Sequence, residues 1–227
     1  MRAIITRHYK TLINAADKIL GWGDSPRDSS WEDDVRFVDE KLQQQDIQFN
    51  AVYSSILERS RQTAMFYARR HGVKLIYDSP ALNEVNYGKL FKKKKKWVAE
   101  HYPLHKKDPD FVYPGGESFR EMQQRSVSYF SSLASVHSGQ TILLVVHAGV
   151  IRGLVSHFLG LDYAENLKRK ISHRYIGDFL FDEERCVRYD ELGRPSGFVK
   201  EGIIQVPCSC SLPEEAVIGE GLPKQAG

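Results

Sequence analysis

TILLVVHAGVIRG, residues 141–153, is the stretch whose reading decides the fold. ILLVV is a continuous apolar, β-branched run with no alternation, as expected of a strand buried on both faces. The run stops at His147. Ala148 and Gly149 follow, and the apolar spacing then predicts a helix over 150–159 closed by Gly160. A buried strand feeding directly into a helix belongs to an α/β sheet. In such a sheet, ligands bind outside the carboxyl ends of the strands. His147 stands at that end.

Working outward, the same pattern recurs. Residues 3–6 read as a short buried strand that runs into Arg7 and His8. Residues 51–55 (AVYSS) read as a second strand and 73–77 as a third. Helices are expected over 10–20, over 31–45 with Ser30 as its cap, and over 57–71 before Gly72. Ser118 with Glu121 makes a capping box for a long helix to about 136. Residues 175–181 and 186–189 look like a hairpin joined by 182–185. The expected fold is α/β, a three-layer sandwich with a mostly parallel central sheet flanked by helices. One domain over 1–205 and a C-terminal tail over 206–227 are the expected division.

The bulk numbers bound the function. The chain has 227 residues, 41% hydrophobic and 27% charged, enough to bury a core without disulfides or metals. A net charge of +3 does not argue for nucleic acid. Cys186, Cys208 and Cys210 do not make a disulfide framework, and an odd count fits a reducing compartment. Cys208 and Cys210 have too few ligands nearby for a structural zinc site. No apolar stretch approaches a membrane span, and the apolar run before Arg7 is far short of a secretion signal. Cytoplasm is the expected compartment, with no nucleic acid and no membrane among the partners.

Three strands thus deliver polar groups to one sheet edge. The first supplies Arg7 and His8, the second Ser54 and Ser55 with Arg59 and Arg61 a turn on, and the third His147. Imidazoles and guanidiniums converging on one crevice make an anion site, because arginine grips phosphate in a bidentate fork. Amides at the helix start after His147 add donors.

The same residues carry a resemblance. TRHYKTLIN (6–14) resembles the RHGET-x-x-N signature of the histidine phosphatase superfamily, which includes the cofactor-dependent phosphoglycerate mutases. YSSILERSRQTA (53–64), LNEVNYG (82–88), PGGES (114–118) and VVHAGVIR (145–152) resemble its other blocks, in family order. The small phosphatase branch, similar to α-ribazole phosphatase and fructose-2,6-bisphosphatase-like enzymes, is the nearer likeness. The resemblance implies that His8 is the phosphoryl acceptor, surrounded by Arg7, Arg59 and His147. It implies that Glu84 is the proton donor and acceptor, which calls for partial burial. It places Asn14 and the Ala148 amide at the phosphate and requires no metal and no cofactor. Glu117 and Ser118 are given a supporting role.

Two departures stand out. Tyr9 replaces the family's glycine and Lys10 its glutamate. Tyrosine does not adopt a positive φ cheaply, so that position has ordinary φ here or the first loop is shifted. The expectation is that the Tyr9 ring forms part of the substrate pocket wall and that Lys10 adds a cation near the entrance. After Gly88, the family's G-x-W-E-G is replaced by GKLFKKKKK; lysines 92–96 read either as a solvated face or as a device that steers anions. The segment between Gly88 and Pro114 is shorter than the insertion covering the mutase site, which favours hydrolysis. The expected activity is metal-independent hydrolysis of a small phosphorylated metabolite, such as a sugar or nucleoside phosphate, through a phosphohistidine. A cofactor-dependent phosphoglycerate mutase and a non-catalytic phospholigand-binding relative are the alternatives. An exposed edge in the 175–189 hairpin could pair across a homodimer.

Overall fold

Alternation along the strands sets up the layers seen in the computed structural model, which describes residues 1–192 and 200–201. The strands are β1 (Arg2–Arg7), β2 (Ala51–Ser55), β3 (Ile76–Ser79), β4 (Thr141–Val146), β5 (Ile176–Asp182), β6 (Arg185–Glu191) and the two-residue β7 (Lys200–Glu201). They form a sheet in the order β3-β2-β4-β1-β5-β6-β7. The β3, β2, β4 and β1 pairings are parallel, and β5, β6 and β7 extend the sheet antiparallel. The helices are α1 (Leu12–Ala15), α2 (Trp31–Gln44), α3 (Glu58–Arg70), α4 (Lys95–His101), α5 (Phe119–Val136), α6 (Ala148–Leu159) and α7 (Tyr163–Leu167).

Because successive side chains point to opposite faces, Ile4, Val52, Leu143 and Val145 pack beneath Val35, Val38 and Leu42 of α2 and Ala64 and Tyr67 of α3. Their neighbours Ala3, Ile5, Tyr53, Ile142 and Leu144 pack on the other side against Met122, Phe130 and Leu133 of α5 and Ile151 and Leu154 of α6. Both faces of β4 are therefore covered, and its apolar residues from Ile142 to Val146 are fully buried. Each such side chain contributes roughly 1.5–3 kcal/mol. This is the expected α/β sandwich. The capping box also forms: Ser118 Oγ accepts from the Glu121 amide at 3.1 Å and Glu121 Oε2 from the Ser118 amide at 2.7 Å.

Three local expectations need correction. The helix expected over 10–20 is only α1, because Thr11 and Asn14 cap each other and Asp17 takes φ +53°. The chain then runs alongside the lysine segment instead, with Ile19 N donating to Lys93 O at 2.8 Å and Lys92 N to Ile19 O at 2.8 Å. The third strand lies at Ile76–Ser79, displaced from 73–77, because the Val73 amide is still bonded to Ala68 O at the end of α3. Ser30 occupies the N-cap position of α2 but does not cap it; its hydroxyl donates to Asp28 Oδ1 at 2.7 Å. The hairpin forms as expected, and β7 pairs with its outer strand at Arg188 and Tyr189. The tail over 206–227, with Cys208 and Cys210, lies outside the described residues. No helix among the described residues is long and apolar enough to cross a membrane.

Candidate active site

The strand register builds the centre of the site. Arg7 pairs with Val146 across β1 and β4, and the His8 amide donates to Val146 O at 3.0 Å. The residues that follow the two strands are thus brought side by side, and the His8 and His147 rings lie 4.9 Å apart. Since β4 is inserted between β1 and β2, Ser55 meets His147 from the other side, its Oγ 2.7 Å from Nε2. Arg59, in the first turn of α3, donates from Nε to His8 Nε2 at 3.2 Å. Its other nitrogens are held by Gly21 O at 2.6 Å and Gly23 O at 2.9 Å, so the glycine-rich loop wraps the guanidinium. Arg7 donates from Nη1 to Ile171 O at 2.6 Å.

These contacts define the protonation of His8. Its Nδ1 lies 2.5 Å from the carbonyl of Tyr9. A carbonyl only accepts, so the proton is on Nδ1, and Nε2 presents its lone pair toward Arg59. Burial, with the Arg59 charge next, holds this imidazole well below its ordinary pKa. His147 is likewise held neutral by burial and by Arg59 and Arg7. Burial also lowers Arg7 and Arg59 to about 10, which leaves both charged at neutral pH. Two buried polar atoms here, His147 Nδ1 and Arg7 Nε, have no hydrogen-bond partner among the described residues.

Glu84 comes from an irregular segment and is positioned by tertiary contacts. Its Oε1 accepts from the Val85 amide at 3.0 Å and from the Gly149 amide at 3.0 Å. The second bond requires a close approach: a Cβ at residue 149 would stand 2.1 Å from Oε1. The backbone behind Glu84 is clamped by Arg125 of α5, which donates to the carbonyls of Ala81 (2.8 Å), Asn83 (2.9 Å) and Glu84 (3.1 Å). Arg125 is itself ion-paired with Glu117 at 2.8 Å, and Glu117 Oε1 also accepts from the Asn86 amide at 2.8 Å. Gly88 closes the segment at φ +52°, with the Pro114 carbonyl 2.3 Å from where a Cβ would be. The 82–88 and 114–118 blocks therefore support each other and, between them, Glu84.

Arg7, His8, Arg59 and Glu84 line one crevice of about 620 Å³, together with Lys10, Asn14 and Ala148. His147 lies fully buried against His8. Tyr9 is a correction. It is buried with Ile4, Val35 and Val38 beneath α2 and α3, its ring edge-on to Trp31, and its hydroxyl donates to Gln62 at 2.9 Å. It does not line the crevice, and its φ is not positive. The side chain takes the apolar exit offered by α2, so tyrosine substitutes for glycine without strain. Arg61 also points elsewhere, pairing with Asp78 at 2.9 Å on the outside of α3. Of lysines 92–96, Lys95 reaches the crevice, bonded to Asp17 at 2.6 Å; the others are exposed.

Several crevice residues escaped the sequence reading, His173, Arg152 and Lys106 among them. His173 donates from Nδ1 to the His8 carbonyl at 2.7 Å, and burial with the Arg7 charge pushes its pKa down to about 2. Arg152 and Lys106 also line the wall. Arg152 was visible within VVHAGVIR as part of a motif, while Lys106 and His173 lie in stretches with no periodic signal.

Comparisons with known proteins bear on the family of the chain. A phosphoglycerate mutase of Schizosaccharomyces pombe is 25% identical over 178 residues, covering 74% of this chain and 84% of its own. A metal-independent phosphoserine phosphatase of Arabidopsis thaliana is 30% identical over 157 residues, covering 66% of each. The solved α-ribazole phosphatase of Shigella flexneri superposes with a TM-score of 0.70 at 22% identity, covering 82% of this chain and 93% of its own. The family model described as the histidine phosphatase superfamily (branch 1) matches residues 3–188, and this chain belongs to that superfamily.

Proposed function

We propose that this chain is a metal-independent phosphomonoester hydrolase that works through a phosphohistidine on His8. The observation that carries the reading is the His8 ring, its proton held on Nδ1 by the Tyr9 carbonyl and its Nε2 lone pair turned to Arg59, in the same crevice that Glu84 lines. In the first step Nε2 bonds to phosphorus and the bond to the ester oxygen breaks. Glu84 gives its proton to the departing oxygen. In the second step water attacks phosphorus, Glu84 takes its proton, and the P–N bond breaks to restore neutral His8. Arg7 and Arg59 offset charge on the equatorial oxygens, where the protein contributes most to phosphoryl transfer. Ser55 Oγ, which accepts from the Leu57 amide, directs its own proton to His147 Nε2. His147 then donates to the phosphoryl group from Nδ1.

Purified protein assayed without added metal against a panel of phosphate esters, beside His8→Ala, tests the reading. Turnover abolished in the variant is the expected result, with acid-labile phosphate trapped on the wild-type chain. Equal turnover by the variant would refute it. Likeness to the S. pombe mutase supports a second reading, phosphoryl exchange between phosphoglycerates. The short cover over 89–113 stands against it, because a mutase must exclude water from its phosphoenzyme. Interconversion of 2- and 3-phosphoglycerate, started with 2,3-bisphosphoglycerate and faster than phosphate release, would favour the mutase.

A further inference from the structure

The peptide unit between Glu84 and Val85 aims the Glu84 carboxylate. A peptide unit is planar and trans, so its carbonyl and its N–H leave opposite edges of one rigid plate. The N–H edge of this plate, from Val85, donates to Glu84 Oε1 at 3.0 Å. The carbonyl edge, from Glu84, accepts from Arg125 Nη2 at 3.1 Å and from Trp22 Nε1 at 2.5 Å. Whatever fixes the carbonyl therefore fixes the direction of the N–H, and with it the carboxylate. Arg125 spreads its donors over the carbonyls of Ala81 and Asn83 and over Glu117 as well, so it holds the whole segment. The Trp22 indole has a single N–H, and that N–H goes to Glu84 O.

Trp22 is also the central residue of the loop that holds Arg59. The carbonyls on either side of it, Gly21 O and Gly23 O, accept from the Arg59 guanidinium at 2.6 and 2.9 Å. The Gly23 amide closes the loop by donating to Leu20 O at 3.0 Å. The loop is pressed against the segment that follows Glu84. A Cβ at residue 21 would stand 3.2 Å from the Tyr87 ring, and one at residue 23 would stand 2.2 Å from the Phe91 ring. One short loop thus holds a phosphate-side cation through its backbone and the proton donor through its side chain. Trp22 itself is 44% exposed and does not line the crevice, so neither the core nor the crevice wall accounts for its place.

We infer that Trp22 is a positioning residue for the Glu84 proton donor, acting through the Glu84–Val85 peptide plane and keeping the acid in register with Arg59. This inference rests on the proposed hydrolase reading.

The test uses the purified full chain and Trp22→Phe, which keeps a ring and deletes the donor; a melting temperature close to wild type is the folding control. Two esters are compared: phenyl phosphate, whose departing oxygen needs a proton, and 2,4-dinitrophenyl phosphate, whose phenolate leaves without one. For both, kcat/KM reports transfer to His8. In Trp22→Phe it is expected to fall about tenfold on phenyl phosphate, the order expected for one lost hydrogen bond, and to stay within about twofold on the dinitrophenyl ester. An equal loss on both esters, as a disturbed Arg59 would give, overturns the inference, and so does no loss on either. Glu84→Gln, run alongside, should show the same selectivity more strongly; if it shows none, the failure belongs to the hydrolase reading. Hydrogen exchange at the Gly149 amide then decides without turnover. That amide lies in the first turn of α6, where no helical carbonyl precedes it, and its acceptor is the Glu84 carboxylate at 3.0 and 3.3 Å. Exchange about tenfold faster in Trp22→Phe supports the positioning role; unchanged exchange overturns it.

Discussion

Gly149→Ala tests whether Glu84 works from the position in which it is held. The added methyl would stand 2.1 Å from Glu84 Oε1 and 3.2 Å from its Cδ, where ordinary contact begins at 3.4 Å. Nothing else crowds it closely; Met122 Cε is at 3.4 Å. The Glu84 carboxylate is the movable partner, so it must retreat by more than an ångström and lose the Gly149 amide bonds at 3.0 and 3.3 Å. A catalytic group displaced by about 1 Å costs on the order of a hundredfold in rate. The fold should not suffer. Gly149 lies in the first turn of α6 without a positive φ, where alanine is at least as good a helix former. The expected result is a kcat about a hundredfold lower, KM little changed and a melting temperature equal or higher. The assay is steady-state phosphate release beside thermal unfolding of the same preparations. Wild-type kcat in a normally folded Gly149→Ala protein would falsify the assignment of Glu84 as the proton donor.

Tyr9→Phe removes the hydroxyl donated to Gln62 and should cost about 1 kcal/mol or less in denaturant unfolding, leaving kcat/KM within about twofold; Tyr9→Ala should cost about 3–5 kcal/mol. A large, selective fall in kcat/KM for Tyr9→Phe would restore Tyr9 to the substrate wall. For pH, burial lowers His8, His147 and His173 below their ordinary value in the folded state. The unfolded chain therefore binds protons first as pH falls, so stability is full above about pH 6.5 and declines below it. Each such histidine should remove up to about 2 kcal/mol between pH 7 and pH 5. Urea unfolding at both pH values measures this, and a smaller loss in His173→Asn than in wild type is expected.

Much of the site was legible because its chemistry is local. Arg7 and His8, Ser55 and Arg59, and His147 with Ala148 each follow directly from a strand end, and a parallel sheet aligns strand ends by its own hydrogen bonding. Glu84 was legible only through its resemblance, because its segment has no period. What holds it, Arg125 and Gly149, comes from helices distant in sequence. The Tyr9 expectation failed for a related reason. A side chain leaving a strand end has two directions, and only the packing of α2 and α3 decides between core and crevice.

The sequence by itself determined the layers and the strand-end chemistry, because the continuous apolar runs of strands buried on both faces and the strand-to-helix junctions are written in consecutive residues. Only the tertiary structure decided that Lys106, Arg152 and His173 share the crevice while Tyr9 and Arg61 leave it. Those placements depend on which distant surface each side chain meets, and burial and charge act through space and not along the chain.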